Sequence, residues 1–220
     1  MSRRAMVGTG AVVGAGAWVA PSILSYDRVA AAIGSCGTKP RQVDWTDFAG
    51  QTIPGTVNAA DGTTVTVTVL DPDNVQDTTW NFRAFNGTIN GRDNPAITGM
   101  SGDSGTAGVT ITLEFSTPIQ PSFFLVDVDR ATNSWEDSVE VVGFLGGGGT
   151  GFDPDSLTIG GGAVQVITPR LVEGVFSSNS TNSEVEVDFQ DLVDRIEIRH
   201  FDTTAWNNFQ WIGVHDLHWC

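Results

Sequence analysis

Thr64-Val65-Thr66-Val67-Thr68-Val69-Leu70 alternates hydroxyl and branched apolar side chains without a break. Successive residues of a strand point to opposite faces, so this run puts three valines on one side and three threonines on the other. The same period of two runs through 108–115, where Val109, Ile111, Leu113 and Phe115 oppose Thr110, Thr112 and Glu114. It recurs over 184–189, with Val185, Val187 and Phe189 against Glu184, Glu186 and Asp188, and over 196–199. Each pattern predicts a half-buried strand of an antiparallel sheet, apolar inside and polar outside. Further strands are expected at 43–48, 80–85, 122–128, 138–144, 164–167, 171–176 and 209–219. Turn-forming clusters separate them, among them Ala60-Asp61-Gly62, Asp71-Pro72-Asp73-Asn74 and the glycines of 146–149. The stretch 98–108 reads as a Gly/Ser loop. Roughly ten strands at this spacing predict an all-β chain, an antiparallel two-sheet sandwich of jelly-roll type.

The last segment changes phase. In a regular strand Ile212 and Val214 would share one face while Leu217 and Trp219 pointed the other way. A bulge near His215-Asp216, or burial on both faces, would reconcile them.

The N-terminus changes how the rest is read. Arg3 and Arg4 precede a weakly apolar, Gly/Ala-rich run to about Leu24, and Ala30-Ala31-Ala32 follows. That is the order of a cleavable export signal, expected at 1–32. Ser2-Arg3-Arg4-Ala5-Met6-Val7 resembles the twin-arginine export motif of bacteria, although Gly8 stands where lysine is usual. An ordinary secretory signal is the alternative, and either route leads out of the cytoplasm. Residues 33–220 then form one β-sandwich domain. Removing 1–32, which carries Arg3, Arg4, Arg28 and Asp27, leaves 8 basic and 25 acidic residues, a net charge of −17. Such a surface repels nucleic acid and anionic membranes and suits an extracellular protein. No segment is long and apolar enough to remain in a bilayer after cleavage.

Two cysteines complete this picture. Cys36 opens the mature chain and Cys220 ends it. In an oxidising compartment the natural expectation is one disulfide joining the ends, which puts the first and last strands side by side. The rival reading takes Ile33-Gly34-Ser35-Cys36 as a lipidation site, for which Gly34 and the distance from the apolar run are poor fits.

Three stretches carry a further likeness: Val43-Asp44-Trp45 near the start, a strand–Asp-x-Asp–loop–Trp-x-Asp–strand unit from Phe124 to Val141, and Gln210 to Leu217 at the close. Together they resemble exported bacterial β-sandwich domains of jelly-roll type, akin to carbohydrate-binding modules. The resemblance implies the fold. Such domains serve as sugar-binding, adhesive or surface-structural parts, so it leaves function open.

Several motifs can be set aside. Gly102-Asp103-Ser104-Gly105 looks like a serine-protease nucleophile loop, but all three histidines (His200, His215, His218) lie downstream of the serine. His215 and His218 would face opposite sides of a regular strand, a poor start for a shared metal. Gly146-Gly147-Gly148-Gly149 lacks the Lys-Ser/Thr of a phosphate loop.

Two candidate sites remain. On a regular strand Asp127 and Asp129 share a face with Phe123 and Leu125, about 7 Å apart. The turn through Thr132-Asn133-Ser134 returns Asp137 to the same end. Three carboxylates there would suit calcium, a hard cation taking 6–8 oxygens, in a structural role. The bland alternative is that Asp127 or Asp129 pairs with Arg130 or Arg195 and braces the turn. The second candidate is aromatic. Trp135 and Trp206 fall in polar loops beside asparagines and carboxylates, where a sugar ring could stack. Trp45, Trp211 and Trp219 are assigned to the core or the terminal strands.

The expected function is therefore a secreted, non-catalytic binding or surface-associated module, with polysaccharide or cell-surface glycan as partner. A structural, self-assembling surface protein is the alternative. A glycan-active enzyme, with its site among Asp127, Asp129, Asp137 and His200, comes third. Intact mass of the exported protein should rise on reduction by the two hydrogens of one bridge; an acyl-chain mass on Cys36 would replace the bridge with a lipid anchor.

Overall fold

The alternating runs form the strands that their period demands. The computed structural model of the protein describes residues 38–72, 82–100, 108–132, 134–147, 149–177, 181–202 and 209–220. The expected signal at 1–32, Cys36 and Trp206 lie outside the described residues. In chain order the strands are β1 (Arg41–Val43), β2 (Thr56–Asn58), β3 (Thr64–Leu70), β4 (Arg83–Ala84), β5 (Thr88–Ile89), β6 (Arg92–Asp93), β7 (Ala96–Met100), β8 (Val109–Ile119) and β9 (Ser122–Val126). They continue with β10 (Arg130–Ala131), β11 (Trp135–Glu136), β12 (Ser138–Phe144), β13 (Ser156–Ile159), β14 (Val164–Thr168), β15 (Leu171–Gly174), β16 (Val185–Asp188), β17 (Val193–Phe201) and β18 (Gln210–His218).

Two seven-stranded sheets result, antiparallel throughout. One runs β13-β16-β9-β18-β7-β4, with β1 also paired to β18; the other runs β14-β15-β12-β17-β8-β3-β2. Their apolar faces meet in a single core. Val65, Val67, Ile111, Leu113, Ile196 and Ile198 come from one sheet, and Phe123, Leu125, Val185, Val187, Ile212 and Val214 from the other. Each large side chain so buried is worth about 1.5–3 kcal/mol relative to exposure. Parity therefore fixes both register and layer: a one-residue slip in β8 or β17 would bring its Thr, Glu and Arg positions inward.

The phase change near the C-terminus is a bulge. Along β18, His215 lies opposite Phe124 and His218 opposite Ser122, one residue too many for a regular ladder. The extra residue resets the parity, so Ile212, Val214, Leu217 and Trp219 all enter the same core. It also buries the Asp216 carboxylate, which accepts from the Trp45 amide at 3.1 Å and from Arg41 Nη1 at 3.0 Å. Both donors belong to the first described segment. The first described segment and the last strand are thus side by side: Arg41 lies opposite His218, Val43 opposite Leu217, and the Trp219 amide donates to the Pro40 carbonyl at 3.2 Å.

Some expected strands are shorter or elsewhere. Of 43–48 only Val43 is strand, because Asp44 accepts from the Thr46 amide at 2.9 Å and caps a 3₁₀ turn over Trp45–Phe48. The loop expected from residue 98 begins later, since β7 runs to Met100 and is buried along its whole length. Its outer face is covered by the β5–β6 hairpin, which hides any alternation. At that hairpin's tip Asn90 and Gly91 take φ of +51° and +87°, matching the twist that a two-residue connection requires. Finally, β9 stops at Val126 rather than 128, because Asp127 has φ +65°.

Gly174 in β15 makes a close approach to the segment after β9. Its amide donates to the Asp137 carbonyl at 2.9 Å, and the Asp137 amide donates to the Asp129 carbonyl at 3.0 Å. A Cβ at position 174 would lie 2.1 Å from the Asp129 carbonyl oxygen. Gly174→Ala is therefore expected to cost about 3 kcal/mol, the upper part of the overpacking range, and to lower Tm by roughly 6–12 °C. Thermal melting followed by circular dichroism checks this, and an unchanged Tm would mean that the two segments separate freely.

Candidate functional site

The left-handed backbone at Asp127 changes which side chains face where. Before it, Phe123 and Leu125 enter the main core. After it, the core position passes to Val128, three residues from Leu125 instead of two or four. The expectation that Asp127 and Asp129 share a face with Phe123 and Leu125 is overturned for this reason. A regular strand cannot contain a residue at φ +65°, and the turn there swaps the faces. Both aspartates instead line a cavity of about 540 Å³ between the β5–β6 hairpin, β11 and the start of β18.

That cavity gathers most of the residues singled out in the sequence. Asp127, Asp129, Asp137 and Trp135 all line it, with Phe85, Thr88, Ile89, Asn90, Ser177, Phe209, Gln210 and Trp211. The β5–β6 hairpin supplies one wall by packing Ile89 on Ile97 and Val126, with Phe85, Phe124 and Trp211 around them. Trp211 does lie on the last strand as expected, but its ring faces outward and stacks on Phe85, centroids 5.9 Å apart with planes at 29°. Trp206, the second expected ligand residue, lies outside the described residues.

Trp135 is fixed rather than loose. It sits on β11, half-buried, and its indole Nε1 donates to Asp129 Oδ1 at 2.8 Å. Arg130 pairs with Glu136 at 3.1 Å and Arg195 with Glu197 at 3.5 Å. Among the described residues Asp127 has no hydrogen-bond or ion-pair partner, so it is not the arginine-paired brace considered from the sequence.

The floor of the cavity leads into a polar group between the sheets. Asp137 Oδ2 accepts from the Asp129 amide at 3.1 Å. Asp137 Oδ1 and His200 Nε2 lie 2.8 Å apart, both side chains fully or almost fully buried. Asp202 lies beside them and accepts from Gln210 Nε2 at 3.1 Å. His200 continues the inward series Ile196, Ile198, His200 along β17, so parity puts it in the interior.

Burial sets the charges here. Removal from water, then the neighbouring Asp129 and Asp137, raise the Asp127 carboxyl to about 8. Burial, with Asp129 among its neighbours, holds Asp137 well above the carboxylate range. Burial lowers His200 to about 3, although the Asp202 charge opposes this. The Asp137–His200 contact is accordingly a net-neutral pair sharing one proton, since either charge alone would sit in the interior without water.

Calcium, expected as a structural cofactor on Asp127, Asp129 and Asp137, meets a mixed fit. The three side chains share the cavity, but both Asp137 oxygens are engaged inward and Asp129 Oδ1 is engaged by Trp135. Among the described residues no group of three His, Cys, Asp or Glu side chains is arranged to hold a metal ion. A hard cation would have to break these bonds or gather its 6–8 oxygens elsewhere.

The aromatic wall of Phe85, Phe209 and Trp211 was missed in the sequence. The Asn90-Gly91 hairpin was its available signal, because that dipeptide between short apolar runs marks a hairpin. No protein-family model, curated protein or solved structure matches the chain.

The pH dependence follows from two opposed signs. Asp127 titrates near 3.8 when unfolded and about 8 when folded, so the folded state keeps a proton that the unfolded state has lost, and stability falls as pH rises from about 4 to 8. His200 goes the other way: its folded pKa of about 3 against 6.5 unfolded removes stability as pH falls through that window. Asp127→Asn keeps the neutral form at every pH, and asparagine tolerates φ > 0. Its Tm should equal that of the parent near pH 4 and exceed it by several degrees at pH 8. Equal melting at both pH values would show that Asp127 is solvated and titrates normally.

Proposed function

We propose that the protein is an exported, non-catalytic binding module whose cavity holds carbohydrate. The observation that carries this reading is the cavity's composition. Indole and phenyl faces of Trp135, Trp211 and Phe209 stand beside Asp127, Asp129 and Gln210 in one recess of about 540 Å³. A sugar ring presents an apolar C–H face to an aromatic plane and hydroxyls to polar groups at its edge, and this lining offers both. A size of this order takes a short stretch of glycan rather than a single small ion.

Export belongs to the same proposal. The basic pair and apolar run of the N-terminus, the strong net negative charge and the pairing of the two chain ends all suit an extracellular domain. A Cys36–Cys220 bridge fits the last of these. Cys220 directly follows the Trp219–Pro40 contact, and among the described residues no cysteine is free. In the loop-entropy model a bridge closing a loop of this size adds about 5 kcal/mol before strain.

The non-catalytic part rests on how the polar groups are used. Asp137 and His200 engage each other away from solvent, which removes two of the four groups an enzyme would draw on. Asp127 beside Asp129 keeps a hydrolase in play, because a protonated and an ionised carboxylate are that chemistry's two parts. A second reading, a self-assembling surface protein, is favoured by β14. It is an edge strand with Val166 and Ile167 45% and 44% exposed, and apolar edges invite pairing.

Affinity depletion on a panel of insoluble polysaccharides, with chelator and then with calcium, separates these readings. Retention on at least one glycan is expected, weakened roughly tenfold by Trp135→Ala and by Trp211→Ala, with Trp206→Ala run alongside. Calcium should change retention little. Soluble products that disappear with Asp127→Asn would make the protein an enzyme. No retention, together with concentration-dependent sedimentation abolished by Val166→Lys, would establish self-assembly instead.

A further inference from the structure

The hydrogen-bond inventory of the cavity narrows the ligand, on the premise that the site binds sugar. Four of its donor groups are already engaged. Trp135 Nε1 donates to Asp129, Asn90 Nδ2 to Ser183 Oγ at 2.7 Å, Gln210 Nε2 to Asp202, and Thr88 Oγ1 to Asp93 Oδ1 at 2.8 Å. Beside two open donors, Trp211 Nε1 and Ser177 Oγ, two acceptor groups are left over. Asp127 has no partner among the described residues, and its carboxyl has two oxygens. Gln210 is 2% exposed, lines the cavity, and its Oε1 has no hydrogen-bond partner among the described residues. A buried polar atom left unpaired costs about 1–3 kcal/mol, so this acceptor is one that a ligand donor would satisfy.

Charge points the same way. Among the described residues no lysine or arginine lines the cavity, while three aspartates do, and Asp202 lies buried behind Gln210. The nearest arginine of the covering hairpin, Arg92, is turned away from it, with its guanidinium 3.6 Å from the Phe124 ring centroid and paired with Glu184 at 3.1 Å. An acidic sugar would find no cationic partner among the described lining residues. A hydroxyl offers one donor and no charge. An ammonium offers three donors and the missing positive charge, and it is also attracted to indole faces such as those of Trp135 and Trp211.

We infer that the cavity is selective for a saccharide carrying a protonated amine, a hexosamine whose amino group is not acylated, with its ammonium against Asp127 and Gln210 Oε1 and its ring against Trp211. Asp127 is the selectivity determinant, being the one carboxylate at the recess without a protein partner among the described residues. The rise of its pKa accords with this, because burial and two neighbouring carboxyls leave that site short of a cation. Binding an ammonium returns Asp127 to its ionised form.

The test uses isothermal titration calorimetry on the mature protein at pH 7 with three soluble oligosaccharides of equal length. These are a β-1,4-linked glucosamine oligomer, its fully N-acetylated counterpart and a uronic-acid oligomer. The glucosamine oligomer should bind at least tenfold more tightly than the N-acetylated one, and the uronate should not bind. Asp127→Asn, close in shape and compatible with the left-handed backbone, should bring the first ratio near one by weakening the glucosamine oligomer at least tenfold more than the N-acetylated one. Trp211→Ala should weaken both. Equal or tighter binding of the N-acetylated oligomer, or a ratio unchanged in Asp127→Asn, overturns the inference and leaves sugar binding standing. No binding of any of the three, with the polysaccharide panel also negative, overturns both.

Discussion

A single aspartate in a left-handed conformation decides what this sandwich can present. At φ +65° Asp127 ends β9, and the ladder that would have continued to 128 is broken there. Val128 takes the core position and its amide donates to the Ser183 carbonyl at 3.1 Å. Asp129 then offers its amide to Asp137 and its carboxylate to Trp135. A regular strand through 129 would have sent Asp127 and Asp129 toward the apolar core, where an unpaired carboxylate is strongly unfavourable. The strained turn costs of the order of 1–3 kcal/mol, less than burying those charges.

What surrounds Asp127 is arranged to hold that turn. Gly174 lets β15 approach the Asp129 carbonyl closely enough that no side chain fits between them. Asp137 bonds to the Asp129 backbone through both its amide and its carboxylate, and His200 anchors it from β17, the strand paired with β12 in the same sheet. The recess therefore rests on polar contacts that cross between the layers, not on loops alone. Groups held this way lose little freedom on binding, which favours recognition of a rigid ring.

Much of the fold was legible because its information is local. Period-two runs such as 64–70 and 108–115 fix faces, and faces fix layers. The bulge at His215-Asp216 could be read for the same reason: two apolar pairs out of phase on one strand demand an extra residue. Asp127 could not. Phe124, Val126 and Val128 form as regular an alternation as Phe123, Leu125 and Asp127, so both parities look sound and nothing local marks the break. Proximity of Asp127, Asp129, Asp137 and Trp135 survived that error, because the short return from 129 to 137 brings them together whichever way the strand faces. Phe85 and Trp211 meet across 126 positions of sequence, and only the pairing of β7 with both β4 and β18 makes them neighbours.

Two neighbouring carboxyls, half-buried Asp127 and fully buried Asp137, show how desolvation yields different chemistry in different company. Asp137 has partners on both oxygens and shares its proton with His200, so its environment is complete and nothing from solvent improves it. Asp127 is partly desolvated and has no partner among the described residues, so a ligand with charge and donors relieves it. Where a protein leaves one acid unsatisfied beside others that are fully engaged, the unsatisfied one is where binding free energy is available. Here that acid stands at the mouth of an aromatic recess instead of inside the core, and the selective partner is therefore a cation attached to something flat enough to stack.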